Sequence, residues 1–445
     1  MELLLGFIIT FGTWIISCNI RLVGLLTIRV VGFYSFFFLY TQCLSVTIRR
    51  TWFIHDRVSG VILVLVRFVV IISLYCRDKD FDLDSFDLIP CLCALGTICS
   101  FFFLRGKLVM FYFSFEASLL PTIGLILGWG YQPERVQAGF SIILYTVLAS
   151  MPLFIVVIFY SFNCFSDHMF LLNVYLSEGL SRFVWGMVLL AFLVKLPIFL
   201  VHSWLPKAHV EAPVRGSIVL AGVLLKLGGY GIWRTICVFN FYNEALAVRI
   251  LVGGLWGGLL ARAVCMCQRD IKCLIAYSSI GHMSIVLGGL MRFFCLGWIR
   301  GLALMLAHGV CSPCMFSLAS STYGIFNSRS IAVCKGILIT YPGFSFFWFL
   351  MRALNMGCPP SLNFLRECFL VGSVVFTSYY FMLVLGLICF VTAGYCLFLY
   401  CSINHGGVLW VWLTGVLNGE RMLFCFIVSS WVLFFGGLNL DIWFS

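Results

Sequence analysis

The chain is 445 residues long, 62% hydrophobic and 10% charged, whereas a soluble globular chain carries roughly a quarter charged residues. That balance excludes an ordinary water-soluble protein and requires most of the surface to face lipid. The formal charge of +11 is scattered one or two residues per loop, as in "RGK" (105–107) and "IRR" (48–50), which argues against a nucleic-acid partner and suits loops lying near lipid headgroups.

Apolar windows of about 17 residues or more mark the membrane-spanning elements. In chain order they fall near 2–18, 31–48, 59–76, 88–104, 108–129, 138–162, 183–204, 214–238, 245–266, 271–291, 299–323, 333–376, 378–401 and 422–441. The first begins with an acid and lacks a basic n-region, so it reads as a transmembrane helix rather than a signal peptide. The run 333–376 is too long for one crossing. It contains "NMGCPPSLNF" (355–364), so two half-helices around Pro359 and Pro360 are expected. Uniformly apolar runs of this length form helices, because a membrane β-barrel would alternate. The expected fold is an all-α polytopic membrane protein with about 14 transmembrane helices. The longest polar tract, "CRDKDFDLDSFD" (76–87), reads as a solvated loop.

The 21 cysteines lie within apolar runs rather than loops, so they read as small buried hydrophobes and not as a disulfide framework. The C-x-x-C at Cys311 and Cys314 has no second pair, and no metal site is assigned to it.

Ionisable groups inside the spans carry the chemistry. Each costs roughly 2.5–3.5 kcal/mol at a helix centre, so each is a functional candidate by default. Glu116, in "LVMFYFSFEASLLPTIGLILGW", is too short to snorkel and must be paired or protonated. Lys195, in "VLLAFLVKLPIF", is equally central. The proton affinity of a buried lysine responds strongly to its neighbours. Pro197 removes a backbone hydrogen bond beside it, and broken helices at membrane depth survive only inside protein or beside water. Lysine and proline together therefore point to a hydrated pocket. Lys226 shares a helix face with Gly222 and Gly229, small residues that let another helix or water come close. His282 shares a face with Ser278 and Ser279, and His308 with Ser312. Two polar stripes on apolar helices fit a proton relay better than two isolated core histidines. Glu367 follows the Pro-Pro break, and its sequence neighbour Arg366 does not face it on a helix. No G-x-G-x-x-G, Walker or iron–sulfur cysteine pattern occurs, so no redox cofactor or nucleotide is expected in this chain.

The stretch "VKLPIFLVHSWLPKAHVEAPVRGSIVLAGVLLKLGGYGIWR" (194–234) resembles the signature of the antiporter-like membrane subunits of respiratory NADH:ubiquinone oxidoreductase (complex I). "FEASLLPT", "GWGYQPERVQAG", "QRDIKCLIAYSSIGHMS", "MLAHGVCSPCMF" and "PPSLNFLRE" support it, from about residue 107 to 376. The resemblance implies two inverted five-helix repeats, each with a broken helix. These would occupy 105–240 and 241–401, flanked by N-terminal helices in 1–104 and a C-terminal helix in 402–445. By motif, Glu116 and Lys195 match the family's Glu–Lys half-channel pair, and Lys226 its central lysine. His282 and His308 match the axis histidines, and Glu367 the terminal titratable group. A glutamate at that last position, usually lysine in chains 2 and 5, favours the chain 4 branch. Arg352, Arg366 and Pro313 depart from the family pattern.

The implied activity is proton translocation across the mitochondrial inner membrane, coupled to electron transfer from NADH to ubiquinone in other subunits. NAD, FMN, iron–sulfur clusters and ubiquinone would lie elsewhere in the complex. The implied partners are other membrane-arm subunits, chains 2 and 5 as neighbours, and phospholipid including cardiolipin. Abundant Phe, Cys, Gly and Trp also fit a T- and G-rich organellar coding strand. The alternative is a subunit of a Mrp-type cation/proton antiporter, which the same buried groups would serve. A structural spacer is a third reading, disfavoured because unused buried charges are expensive to keep.

Overall fold

The computed structural model describes residues 48–49, 53–76, 85–130, 132–175, 181–239, 244–292, 295–376, 378–407 and 419–438. The span expected at 2–18 and nearly all of that at 31–48 lie outside the described residues, as does most of the acidic loop. Within the described residues every other expected span is helical, apart from a two-residue antiparallel ladder of Ile48–Arg49 with Ile54–His55.

The first described helix, α1 (Arg57–Tyr75), is capped within its first turn by Ser59, whose Oγ accepts from the Asp56 amide at 2.9 Å and donates to the Asp56 carbonyl at 2.7 Å. Next come α2 (Ser85–Leu104), α3 (Leu108–Ala117), α4 (Leu119–Trp129), α5 (Arg135–Asn163) and the short α6 (Met169–Tyr175). Helices α3 and α4 form one span, bent at Ser118. Helix α7 (Arg182–Lys195) stops before Pro197, and the chain resumes through a 3-10 turn (Phe199–Val201) into α8 (Trp204–Glu211). After Pro213 come α9 (Val214–Val219), a π turn (Leu220–Leu224) and α10 (Leu225–Phe239). The second half comprises α11 (Glu244–Met266), α12 (Ile271–Leu290), α13 (Cys295–Phe326) and the single turn α14 (Ile337–Thr340). The half-helices α15 (Pro342–Met356) and α16 (Leu362–Val375) follow, then α17 (Tyr380–Asn404) and α18 (Gly419–Leu438).

Eight of these helical segments are long and apolar enough to cross a membrane, and their burial sorts them into two layers. The apolar windows of Val214–Phe239 and Gly297–Phe326 are each 94% buried and that of Ile271–Leu290 89%, against 39% for Arg135–Asn163 and Tyr380–Asn404. Lipid is as apolar as leucine, so burial here follows polarity: the inner three helices carry Lys226, His282 and His308. The outer α5 presents Phe140, Leu148, Ile155 and Phe162 outward. Helix α13 is the hub, packing on α1, α9, α12, α16 and α18. Helix α1 is tied in at its N-terminal end, where Arg234 Nη1 of α10 pairs with Asp56 Oδ2 at 2.7 Å.

Close helix approach depends on glycine in α10. A Cβ at Gly228 would lie 2.8 Å from the Leu196 amide nitrogen and 2.9 Å from the Phe192 carbonyl oxygen, both backbone atoms. Overpacking of this kind typically costs 1–3 kcal/mol. Gly228→Ala should therefore push α10 off α7 and lower the thermal midpoint of the assembled protein, as measured by the temperature at which it aggregates in detergent. Of the two alternatives for the glycine face of Lys226, a neighbouring helix is what the structure shows. Val69 and Pro313 cover Gly222, and Met305 covers Gly229.

Candidate functional site

Lys195 is the last residue of α7 and 4% exposed. Its Nζ donates to the Phe115 carbonyl at 2.9 Å and to Ser118 Oγ at 3.2 Å, and it stands 3.5 Å from the centre of the Phe115 ring. The ammonium is therefore seated by the bend between α3 and α4. Glu116 lies on the same bend, within hydrogen-bonding reach of Ser150 on α5, with Oε1 buried and unbonded. Glu116 and Lys195 are electrostatically coupled, yet Lys195 directs its hydrogen bonds to Phe115 and Ser118.

The break at Pro197 leaves a narrow cleft of about 10 Å³, lined by Leu196, Pro197, Phe199, Gly254 and Gly258, with the hydroxyl-bearing Ser284 on its wall and without Lys195 in its lining. That is room for about one water, whereas the sequence led to the expectation of a hydrated pocket at Lys195 itself.

The second group is two hydrogen-bonded pairs set ring beside ring. Lys226 sits just after the π turn and is 1% exposed; π turns inside α-helices are frequent at functional positions. Its Nζ donates to the Ala221 carbonyl at 2.6 Å and to His308 Nδ1 at 3.1 Å. Gly309 makes the room, since a Cβ there would lie 3.1 Å from the Lys226 Cε. The His308 and His282 rings stand 5.5 Å apart, centre to centre. His282 Nδ1 then lies 2.8 Å from Glu367 Oε1.

These partners fix the tautomers. With Lys226 donating to Nδ1, neutral His308 carries its proton on Nε2. With Glu367 accepting at Nδ1, neutral His282 has Nε2 bare, and that atom is buried and unbonded among the described residues. Donor thus meets acceptor at the lysine end and at the glutamate end, and no hydrogen bond joins the two rings between them.

The serines that share a face with the histidines do not hydrogen-bond the imidazole rings and use backbone carbonyls instead. Ser278 donates to the Ile275 carbonyl, Ser279 to Ala276 and Ser312 to His308, each within its own helix. Of the unusual arginines, Arg352 is buried and stacks at 5.0 Å on Trp348, while the hydrogen-bond partner of Glu367 is His282. Glu367 is positioned by the second break. Gly357 ends α15 with φ +80°, Ser361 Oγ caps α16 by accepting from the Phe364 amide at 3.2 Å, and Pro359 and Pro360 lie between. A Cβ at Gly357 would lie 3.3 Å from Glu367 Oε2. Cys311 and Cys314 are both buried, and among the described residues no group of three or more His, Cys, Asp or Glu could hold a metal. One buried histidine, His209, sits inside the signature stretch without having drawn notice, because it lies in a short half-helix and not in a span.

An all-helical, multi-pass membrane protein with a buried line of acid–base groups is thus defined. The family model described as NADH:quinone oxidoreductase/Mrp antiporter, TM, matches residues 106–392. NADH-ubiquinone oxidoreductase chain 4 of Albinaria caerulea is 40% identical over 343 residues, covering 77% of this chain and 78% of that protein. Its counterpart in Ceratitis capitata is 46% identical over 309 residues, covering 68% and 67%. Among solved structures, a chain of respiratory complex I from Thermus thermophilus with bound NADH superposes with TM-score 0.86 at 21% identity, over 99% of this chain and 96% of that one. A chain of the Mrp complex from Dietzia sp. DQ12-45-1b gives TM-score 0.84 at 16% identity, over 99% and 94%. Both share the fold. The chain belongs to the NADH:quinone oxidoreductase/Mrp antiporter transmembrane family and, within it, to the NADH-ubiquinone oxidoreductase chain 4 group.

Proposed function

We propose that this chain is a proton-translocating membrane-arm subunit of NADH:ubiquinone oxidoreductase in the mitochondrial inner membrane. The observation that supports this reading is the succession of Lys226, His308, His282 and Glu367, hydrogen-bonded at each end and with the two histidine rings 5.5 Å apart between them. A charge shift arriving from quinone reduction in other chains separates Glu116 from Lys195. The proton on Lys195 passes by way of water to Lys226, then along the histidines to Glu367 and out. Binding of NAD, FMN, iron–sulfur clusters and ubiquinone belongs to other subunits.

The two helix breaks, at Pro197 and at Pro359 and Pro360, support two inverted five-helix repeats at 105–240 and 241–401, since paired interruptions in two halves are the usual mark of such repeats. The helices of 1–104 and 402–445 flank them and bring the total to about 14. Chains 2 and 5 of the complex are the neighbours, with phospholipid, including cardiolipin, between helices.

The second reading, a Mrp-type cation/proton antiporter subunit, is favoured only by the nearly equal fold match. Purification separates them. Mitochondrial membranes solubilised mildly and captured through this chain should yield flavin, iron–sulfur signals and NADH:ubiquinone reductase activity in one particle. Capture of the chain in a particle without flavin would reject the first reading.

A further inference from the structure

Two buried arginines stand near Glu367 without a part in the path above. Arg352 of α15 is 2% exposed, and Arg262, near the end of α11, is 0% exposed. A guanidinium keeps its charge at every accessible pH. Arg262 Nη1 donates to the Ile388 carbonyl at 2.8 Å, while its Nε and Nη2 and all three guanidinium nitrogens of Arg352 have no hydrogen-bond partner among the described residues. Both side chains are set against the elements that hold Glu367. A Cβ at Gly281 would lie 2.7 Å from Arg262 Cγ and 2.9 Å from its Cδ, so the arginine fills the groove that this glycine leaves in α12. The next residue is His282, whose Nδ1 meets Glu367 Oε1 at 2.8 Å. Arg352 lies five residues before Gly357, about 7.5 Å along the helix axis, and a Cβ at Gly357 would lie 3.3 Å from Glu367 Oε2. These links put each guanidinium roughly 10–15 Å from the carboxylate.

Among the described residues of 244–407, the buried charged side chains are Arg262, Lys272, Arg352, Arg366 and Glu367, four cations to one carboxylate. Pathways for metal cations are lined the other way, by acidic rings or by carbonyl oxygens that replace the hydration shell. Here Glu367 gives one oxygen to His282. The unbonded polar atoms of Arg262, Arg352 and Trp348 are donor nitrogens, and Asn363, one turn before Glu367 on α16, adds a single unbonded oxygen, Oδ1. A dehydrated metal cation takes about six oxygens, whereas a proton needs one.

We infer that Arg262 and Arg352 are selectivity residues of this chain, which keep sodium and potassium away from Glu367 while protons pass. The inference rests on the reading of Glu367 as the last proton carrier and names the ion that uses it. A proton arrives by bond exchange: the N–H bond at His282 Nδ1 breaks, an O–H bond forms on Glu367, and a proton bound at Nε2 keeps the ring neutral. The new bond offsets the repulsion of the two guanidiniums. A metal cation makes no such bond, and each guanidinium weakens its binding there by roughly tenfold at an effective dielectric constant of about 20.

The test uses the whole complex in proteoliposomes, with radioactive sodium outside and a protonophore present, so that NADH-driven uptake reports primary sodium transport. The variants are Arg262→Met/Arg352→Met, Arg262→Lys/Arg352→Lys, and the methionine pair combined with Glu367→Gln. The methionine pair should take up sodium at least about tenfold faster than wild type. The lysine pair should match wild type, and Glu367→Gln should return the methionine pair to the wild-type rate. A methionine pair as tight as wild type would overturn the inference. So would equal uptake in the lysine pair, which would make packing and not charge the cause, or uptake that survives Glu367→Gln. The wild-type complex gives a second measurement, which decides if the methionine pair fails to assemble. At alkaline pH, where protons are scarce, sodium in place of choline should leave the proton-to-NADH ratio unchanged; a fall that is absent from Glu367→Gln would overturn the inference. A proton ratio in choline that Glu367→Gln leaves unchanged would instead remove the underlying reading of Glu367.

Discussion

Replacing Lys226 by alanine should cut proton flux through this chain by at least about tenfold, equivalent to about 1.4 kcal/mol on the transfer barrier. The lysine is the donor at the head of the line, and His308 Nδ1 takes its hydrogen bond from it. Without that donor, neutral His308 has no reason to keep its proton on Nε2, and the donor order toward His282 is lost. The fold should survive. Removing a buried charge relieves a desolvation cost, and this offsets part of the roughly 2–5 kcal/mol typical of deleting a long buried side chain. Lys226→Met separates the two effects, since it keeps the stem that packs on Gly309 and removes only the ammonium. Both variants should show the same lowered proton-to-NADH ratio in sealed vesicles, with methionine the more heat-stable. A normal ratio in either would break the proposed path.

The conspicuous parts of this site were legible because a membrane makes charge expensive. Glu116, Lys195, Lys226 and Glu367 stand out in runs of Leu, Phe and Val, and the breaks announce themselves as prolines. What each charge bonds to was not legible. Glu367 meets His282 across 85 residues of sequence, and no local pattern encodes that contact. Lys195 is seated by a carbonyl and the face of the Phe115 ring, and every residue has a carbonyl to offer. The hydroxyl partners of the serines on the histidine faces were not legible either, since a helical hydroxyl has its own i−3 or i−4 carbonyl within reach and takes it. The π turn before Lys226 depends on how α9 and α10 meet their neighbours, and the run "GSIVLAGVLLKLGG" reads as uninterrupted helix. His209 escaped because its half-helix is too short and too polar to register as a span, so its burial had no signal in hydropathy.

Glu116→Ala should abolish coupling while leaving Lys195 in place, and the reason lies in the separate seating of the two groups. The ammonium is held by the Phe115 carbonyl, Ser118 Oγ and the Phe115 ring, none of which the substitution removes. Glu116 meanwhile contributes charge and not a hydrogen bond to that seat. An unpaired ammonium at this depth would release its proton more readily, so Lys195 should rest unloaded and have nothing to send toward Lys226. The expected result is an assembled complex whose proton-to-NADH ratio falls to that of Lys195→Met, with the double variant no worse. Glu116→Gln should behave like alanine if the carboxylate acts through its charge. A glutamine variant that pumps normally would show instead that Glu116 serves only the polar contact with Ser150, and the switch would have to be placed elsewhere on the bend.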